Sequence, residues 1–251
     1  MTLEQTRQLG IEFERRIQTM IPETEFSDKL DTETIYSYLN QYQDKYVHDI
    51  YRNLDTVPSG TKLSAHIESI LQSMLTSVTL NVADAEDNTN GAIQDANGIT
   101  IIDTARSITF TLPKDFYMYL RSVSNVTKTF SFKSEKRAAQ TPIRVIPNTL
   151  ISQSEVWKLI ETPHDSLRIL RYPAAVLNQY KGTNPTISVI YDRYTEVCGI
   201  KLLYYKQPQH FDLMTSTPCE LPSDAFDDLV SGAVDLYVQY VAGAEARKRQ
   251  L

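Results

Sequence analysis

The feature that most constrains the fold is an amphipathic pattern in residues 221–251. Apolar residues recur there at intervals of three and four, the spacing of a helix with one face to bury. They are Phe226, Val230, Ala233, Tyr237, Val241 and Ala244. The β-rich sequence just before this stretch offers no obvious packing partner. We therefore expect the stripe to pack against the helical N-terminal region.

The two ends of this predicted helix carry different signals. Ser223 follows Pro222 and is a favourable N-cap residue. Carboxylates in the first turns and cations in the last turn suit the helix dipole. These residues are Asp224, Asp227 and Asp228 at the start, and Arg247, Lys248 and Arg249 at the end. We expect residues 226–244 to be core, and the basic end to contact a neighbouring acidic subunit.

Three further helices are predicted near the N-terminus. The first opens with a capping-box spacing from Thr2 to Gln5, and the second starts at Asp31 or Thr32. Their apolar positions are Phe13, Ile17 and Met20 in the first, Ile35, Leu39, Tyr42, Tyr46 and Ile50 in the second, and Leu63, Ile67, Ile70, Leu71, Met74 and Val78 in the third. This pattern is typical of a small antiparallel bundle.

Strand signals dominate the middle of the chain. Alternating or β-branched segments are Ser107–Leu112, Met118–Phe132, Pro142–Val145, Leu167–Arg171, Thr186–Tyr191 and Gly199–Tyr205. A hairpin is predicted at 192–196 and a short helix at 148–159. The predicted fold class is α+β: helices of residues 1–82 and 222–251 form one bundle, and residues 83–221 form an inserted antiparallel β-rich module.

The composition indicates an ordinary globular protein with an acidic balance. Its net charge of −6 argues against a protein that coats nucleic acid, but not against one that surrounds DNA without gripping it. No apolar run approaches the roughly 20 residues that span a bilayer, and the polar N-terminus does not resemble a secretory signal. Cys198 and Cys219 lack metal-site spacing, which favours reduced thiols in a cytoplasmic setting.

Motifs for catalysis or metal binding are weak. Glu86, Asn88, Asn90 and Gly91 imitate half of a calcium loop, but the twelfth position is Asn97 rather than a bidentate Glu. The four histidines are scattered without ligand spacing, and the chain has no nucleophile elbow, phosphate loop or dinucleotide fingerprint. We therefore expect no catalytic residue, no metal and no cofactor.

A basic cluster surrounds one predicted loop. Its members are Lys128, Lys133, Lys136, Arg137 and Arg144. Lys133, Lys136 and Arg137 are candidates for contact with phosphate or with an acidic partner. A charged loop tip that only aids solubility is the alternative interpretation. Arg247, Lys248 and Arg249 are the second candidate contact group.

Several segments, in order along the chain, resemble the head-to-tail connector proteins of tailed phages. They are Asp31–Val47, the Leu112-Pro-Lys-Asp-Phe segment through Arg121, Ser154–Ile160, Leu203–Pro208, and Glu220-Leu-Pro before the last helix. The likeness is greatest to the ring or adaptor proteins of crAss-like, podovirus-type phages. It covers most of the chain, and none of its motifs is catalytic.

The resemblance implies a non-enzymatic virion protein, assembled in the host cytoplasm, that forms a ring of twelve subunits below the portal. Its implied partners are other copies of itself, the portal protein, further connector or tail rings, and DNA that passes without sequence-specific binding, with no membrane. An acidic channel wall would keep DNA from sticking. The alternative is a β-module on a helical stalk, a tail accessory protein that binds carbohydrate or protein.

Overall fold

The computed structural model has a mixed α+β architecture. It describes residues 1–20, 30–56, 63–82, 85–87, 92–94, 100–130, 139–140, 143–156, 172–178, 184–192, 195–213 and 215–248. The chain divides into two compact units. The helical unit comprises Met1–Leu75 and Lys206–Leu251, and the β unit comprises Thr76–Tyr205.

The helical unit is built from four α-helices and one 3-10 turn among the described residues. They are α1 (Leu3–Met20), α2 (Thr32–Thr56), α3 (Ala65–Met74), the 3-10 turn Ser223–Ala225, and α4 (Phe226–Lys248). Helix α4 packs against both α1 and α2. Its core face is Leu229, Val230, Ala233 and Val234, all fully buried. Val230 and Ala233 belong to the predicted stripe, so the stripe is buried in this first half of the helix.

The start of α1 has the predicted capping box. The Thr2 N–H donates to Gln5 Oε1 at 2.9 Å, and the Gln5 N–H donates to Thr2 Oγ1 at 3.2 Å. Two of the backbone donors that a helix start leaves unpaired are satisfied in this way. Further along α1, Phe13 and Ile17 are fully buried as predicted, whereas Met20 is 58% exposed.

The start of α4 differs from its sequence prediction. Ser223 lies inside the 3-10 turn, Pro222 occupies the cap position, and no side-chain cap bond is made there. The first turn of α4 is instead tied to α1 by Arg16. Its guanidinium donates to the Asp227 carboxylate at 2.9 Å and to the Ser231 hydroxyl at 2.6 Å.

Described residues ahead of the 3-10 turn are bonded to α2. The Asn40 amide bonds both backbone groups of Phe211, donating to its carbonyl at 3.0 Å and accepting from its N–H at 3.1 Å. The buried Gln43 donates to the Gln209 carbonyl at 3.1 Å. Side chains of α2 thus satisfy backbone groups of this segment, as a neighbouring strand does in a sheet.

The third predicted helix ends earlier than expected. It stops at Met74, and Leu75–Asn81 forms strand β1. The prediction that this helix continues through Val78 is wrong. Thr76, Val78 and Thr79 are β-branched residues, which pack more favourably on a pleated surface than in a helix.

The β unit contains two largely antiparallel sheets. The strands are β1, β2 (Ala85–Asp87), β3 (Ala92–Gln94), β4 (Thr100–Thr111), β5 (Phe116–Phe130), β6 (Ala139–Gln140), β7 (Arg144–Pro147), β8 (Thr149–Leu150), β9 (Ala174–Asn178), β10 (Thr186–Asp192) and β11 (Thr195–Lys206). The first sheet has the order β1-β11-β5-β6, with β7 also paired to β5. The second has the order β2-β4-β10-β9-β8, with β3 paired to β4.

Side chains from both sheets share one core. In the second sheet Ile108 lies opposite Val189, and Phe110 lies opposite Ile187. All four are at most 2% exposed and pack with buried residues of β11 in the first sheet. Alternation of apolar and polar residues along β4 and β10 places one face of this sheet in the core.

Two connections of the β unit differ from their predictions. Strands β10 and β11 belong to different sheets, so the hairpin predicted at 192–196 is wrong. The predicted helix at 148–159 begins instead with β8, followed by a short helical turn at 153–156; residues 157–159 lie outside the described residues.

Asn148 fixes the crossover from β7 to β8. Its backbone N–H donates to the Ser122 carbonyl at 2.9 Å, and its side-chain amide donates to the Ser122 hydroxyl at 2.8 Å. The amide oxygen accepts from the Ser124 hydroxyl at 2.6 Å. These buried serines on β5 therefore hold the chain at the point where it changes sheets.

None of the helices within the described residues has both the length and the hydropathy that a membrane crossing requires. The predicted strand at 167–171 lies outside the described residues.

Candidate interaction surface

A group of tyrosines lies where α2 and α4 run side by side. They are Tyr38, Tyr42 and Tyr46 on α2, and Tyr237 and Tyr240 on α4. The Tyr38 ring meets Tyr237 edge-on, with centroids 5.4 Å apart, and also contacts Tyr240 at 6.3 Å. Tyr42 stacks on Tyr46 at 6.0 Å. Tyr240 is 67% exposed, and the other four rings are partly buried.

Three exposed carboxylates accompany these rings: Asp49 on α2, and Asp228 and Asp235 on α4. Gly232 lies between the two carboxylates of α4, one helical turn from each. The Tyr42 ring occupies the space where a Cβ at position 232 would lie. It therefore packs directly on the α4 backbone, between the two aspartates.

The pKa of Tyr42 reflects this arrangement. Burial raises it from the ordinary value, and the charges of Asp228, Asp235 and Asp49 raise it further. The neutral phenol adds no charge of its own beside these three carboxylates. We call the five tyrosines and three aspartates the acidic tyrosine face: Tyr38, Tyr42, Tyr46, Tyr237, Tyr240, Asp49, Asp228 and Asp235.

One end of the acidic tyrosine face is a three-residue polar cluster. The Tyr46 hydroxyl donates to Asp228 Oδ2 at 2.9 Å. His66 Nε2, from α3, lies 2.9 Å from the Tyr46 oxygen and 3.1 Å from the same carboxylate oxygen. The single phenol proton is directed to Asp228, and His66 Nε2 lies within hydrogen-bond distance of both oxygens. The cluster thus links α2, α3 and α4.

The Tyr46 phenol of this cluster holds its proton firmly. Burial, followed by the hydrogen bond to Asp228 and its charge, raises the pKa of Tyr46 well above the ordinary value. A general base or nucleophile needs its pKa lowered toward the working pH. Tyr46 therefore presents a neutral hydrogen-bonded phenol rather than a base or nucleophile.

The composition of the acidic tyrosine face defines the partner it suits. Tyrosine is enriched at protein interfaces because its flat ring buries large area and its hydroxyl keeps a hydrogen bond. Carboxylates pair with arginine and lysine, and aromatic ring faces attract the same cations. A basic peptide segment or helix end matches both features.

The β unit carries a second exposed surface at the edge strand β7. Ile143 and Val145 are each 64% exposed, and their spacing of two residues places them on the same side of the strand. Among the described strands, β7 pairs only with β5. Exposed apolar residues at a strand edge are typical of protein contact sites.

Most of the contact residues predicted from sequence lie outside the described residues. Lys133, Lys136, Arg137 and Arg249 lie outside the described residues. Arg247 and Lys248 occupy the last turn of α4, where the backbone is described and the side chains are not. Of the other basic-cluster residues, Arg144 is exposed on β7. The contact roles of these residues remain predictions.

The Leu112-Pro-Lys-Asp-Phe segment, one of the resemblance motifs, has a structural role. Leu112 is 3% exposed within the sheet core. Asp115 accepts a 3.0 Å hydrogen bond from Tyr204, and Phe116 packs against the Tyr204 ring at 5.6 Å. Tyr204 belongs to another resemblance segment, so the two motifs hold β5 and β11 together.

The other residues considered from sequence have structural surroundings where they are described. His210 bonds Asp44 at 2.8 Å. Cys219 is buried and donates from Sγ to Gln43 at 3.4 Å, while Cys198 is exposed; both are free thiols. The described residues contain no group of three His, Cys, Asp or Glu side chains that could hold a metal ion. His164 and most of the calcium-like loop lie outside them.

The acidic tyrosine face was not anticipated from sequence. Its signal is present in α2, where Tyr38, Tyr42, Tyr46 and Asp49 recur at intervals of four, four and three. In α4, Asp228 and Asp235 are seven residues apart and lie on one helix face. Pairing the two stripes requires the contact between helices that are distant in sequence.

Comparison of the chain with protein-family models and with curated proteins finds no match to either.

Proposed function

We propose that this chain is a structural virion protein, a subunit of a ring below the phage portal. The ring extends the DNA channel and docks tail components. In this proposal the helices from the two ends of the chain form one bundle, and the β-rich module is inserted between them. The subunit carries no enzymatic activity, and its partners are further copies, the portal protein and adjacent connector or tail rings.

The observation that carries the proposal is the acidic tyrosine face. A ring subunit needs extended, partly polar contact surfaces, and heterologous contacts require two different surfaces on each subunit. Partly exposed rings such as Tyr38 and Tyr240, beside the carboxylates of Asp228 and Asp235, have the composition of such a surface. The ordered likeness to connector segments supplies the biological setting.

The charge balance suits passage of DNA. A net charge of −6 gives a weakly repulsive wall, so phosphate does not adhere while DNA moves. Local basic groups such as Lys133, Lys136 and Arg137 then act at chosen points, on phosphate or on an acidic neighbour. This combination needs no base-specific contacts.

Imaging of the purified chain with its portal tests the proposal directly. We expect mass photometry and negative-stain microscopy to show rings, twelve-fold in the proposal, that bind the portal. A chain that stays monomeric beside an assembled portal would rule out the ring. A portal carrying an unrelated surface charge pattern serves as the binding control.

A second candidate function is favoured by strand β7. The exposed Ile143 and Val145 suit a protein ligand, as expected for a tail accessory protein whose β unit binds another component. Substitution of both residues by Thr separates the two functions. Rings that form normally but fail to recruit a tail protein assign β7 to docking; loss of the ring itself assigns β7 to assembly.

A further inference from the structure

We infer that the acidic tyrosine face is the binding site for the basic end of α4 from a second copy of this chain. We call Arg247, Lys248 and Arg249 the basic run. This inference rests on the proposed ring for its biological setting. It goes further by identifying both sides of the contact between subunits.

The charges of the two surfaces are complementary. The acidic tyrosine face contributes three carboxylates, from Asp49, Asp228 and Asp235, and the basic run contributes three cations. The run offers guanidinium and ammonium groups, which pair with carboxylates and pack over tyrosine rings. In a chain of net charge −6, these three consecutive cations form a compact basic segment.

The geometry of α4 prevents the run from reaching the aspartates of its own face. Helix α4 continues without a break to Lys248. From Asp235 to Arg247 the helix rises about 18 Å at 1.5 Å per residue. Asp228 lies farther still from the run. An unbroken helix cannot fold back on itself, so the run cannot reach the carboxylates of Asp228 and Asp235 in its own chain.

The remaining carboxylate, Asp49, is also at the far end of the face. Tyr38 contacts Tyr240, whereas Tyr46 contacts Asp228, so α2 and α4 run antiparallel. Asp49 follows Tyr46 on α2 and therefore lies toward the first turn of α4. The carboxylates of Asp49 and Asp228 and the basic run thus lie towards opposite ends of the helix pair.

This separation gives the contact a direction. The run of one subunit binds the face of the next, and the face of the first remains open to a third. Repeated from each subunit to the next, such a contact produces either a closed ring or an open filament. It therefore matches the assembly of the proposed function.

Reciprocal charge reversal in the full-length chain tests the contact. The face variant is Asp49→Lys with Asp235→Lys, because both residues are exposed and neither belongs to the Tyr46–His66 cluster. The run variant is Arg247→Glu, Lys248→Glu and Arg249→Glu. The matched control, Glu14→Lys with Glu68→Lys, makes the same charge change at exposed helical positions outside the face. Self-association is measured by sedimentation and mass photometry over a range of salt concentrations.

We expect each variant alone to associate at least about tenfold more weakly than the wild type, with the control unchanged. An equimolar mixture of the two variants should recover association, since each then meets an opposite charge. A single chain carrying both sets should also self-associate. Wild-type association should weaken as salt rises.

Two results would overturn the inference, and they differ in what they say of the ring. If both variants assemble as the wild type does, the contact is elsewhere while the ring proposal stands. If mixing fails to restore association, charge pairing between these surfaces is excluded. A wild-type chain that stays monomeric throughout also excludes the contact, and imaging with the portal then decides the ring separately.

Discussion

At the scale of single residues, tyrosine hydroxyls join segments that are far apart in sequence. Tyr36 buries its ring and donates to the Thr6 carbonyl at 3.1 Å, and Tyr204 buries its ring and donates to Asp115 at 3.0 Å. Each such residue contributes apolar area and a satisfied polar group together. Because tyrosine combines ring burial with a hydrogen bond, a chain with fifteen tyrosines and one tryptophan can use these side chains to hold distant segments together.

The Tyr204 hydroxyl makes stability depend on alkaline pH. Burial, and then the hydrogen bond to Asp115 and its charge, raise the pKa of Tyr204 to about 12 from 10.0. The folded state therefore favours the protonated phenol. The stability it contributes is fully present below pH 10 and is lost as the pH rises toward about 12. Tyr204→Phe should lower the free energy of unfolding by about 1 kcal/mol near neutral pH. The difference from the wild type should shrink as the pH rises from 10 to about 12.

Urea unfolding at a series of pH values measures this difference, with tyrosinate absorbance as a second signal. Asp115→Asn is the matched variant, because it can keep an acceptor for the phenol and removes the charge. It should shift the end of the alkaline window to lower pH. A Tyr204→Phe deficit that stays constant up to pH 12 would contradict the assignment.

At the scale of elements, local signals predicted most of the described helices and strands. The capping box at Thr2 and Gln5 is confirmed, as is the strand at 186–191; the strand predicted at 107–112 is present as far as residue 111. The core face of α2 was harder to predict. Gln43 is fully buried and Val47 is 3% exposed. A polar residue interrupts the apolar ladder, because its amide serves the backbone of the segment leading into α4.

The errors of the sequence prediction share one physical cause. Pairing between distant segments decides whether a stretch of chain becomes a helix, a strand or a hairpin. The spacing of Met74 and Val78 suits a helix, but the chain becomes a strand at Leu75 because β1 can pair with β11. In β11, Gly199 permits this pairing, since a Cβ there would lie 2.9 Å from the Leu80 carbonyl oxygen. The predicted hairpin at 192–196 fails likewise, since β10 and β11 pair in different sheets.

The contact between α2 and α4 gives a prediction for Gly232. A methyl group at this position overlaps the Tyr42 ring, so Gly232→Ala should destabilise the helical unit by about 1–3 kcal/mol through overpacking. In a Tyr42→Ala background the overlap is gone. There the same substitution should stabilise by up to about 1 kcal/mol, because alanine is the better helix former.

A double-mutant cycle from urea unfolding, followed by circular dichroism, measures this coupling. The decisive quantity is whether Gly232→Ala lowers or raises the free energy of unfolding, first with Tyr42 present and then in the Tyr42→Ala background. Equal effects in both would show that Tyr42 does not lie over Gly232. Gln239→Ala, at an exposed position of the same helix, controls for helix propensity alone.

At the scale of the whole molecule, the segments that resemble connector proteins make contacts that hold the fold together. Asn40 bonds Phe211, Asp115 bonds Tyr204, and Glu220 pairs with Lys206 at 2.6 Å. Each pair joins an extended segment to the element beside it within one unit. A function that needs only shape and surface charge is consistent with such motifs. Specificity for a binding partner then has to come from surface residues.

Lys133, Lys136 and Arg137, which lie outside the described residues, are where that specificity is predicted to include phosphate or an acidic partner. Lys133→Ala, Lys136→Ala and Arg137→Ala together should weaken DNA retention or partner binding. If phosphate is the target, the dependence of binding on salt concentration should flatten as well, because fewer counterions are released. The measurement compares DNA retained by assembled rings and binding to the portal at several salt concentrations.

The matched control removes three cations elsewhere: Lys45→Ala, Arg52→Ala and Lys201→Ala, all at exposed positions. Both triple variants lower the net charge equally, so a general electrostatic effect would weaken them alike. A loss confined to the loop variant assigns contact to the loop. If loss of DNA retention comes with a flatter salt dependence, the partner is phosphate; if only portal binding falls, it is an acidic protein surface. Unchanged retention and binding would leave the loop cations with solubility as their sole role.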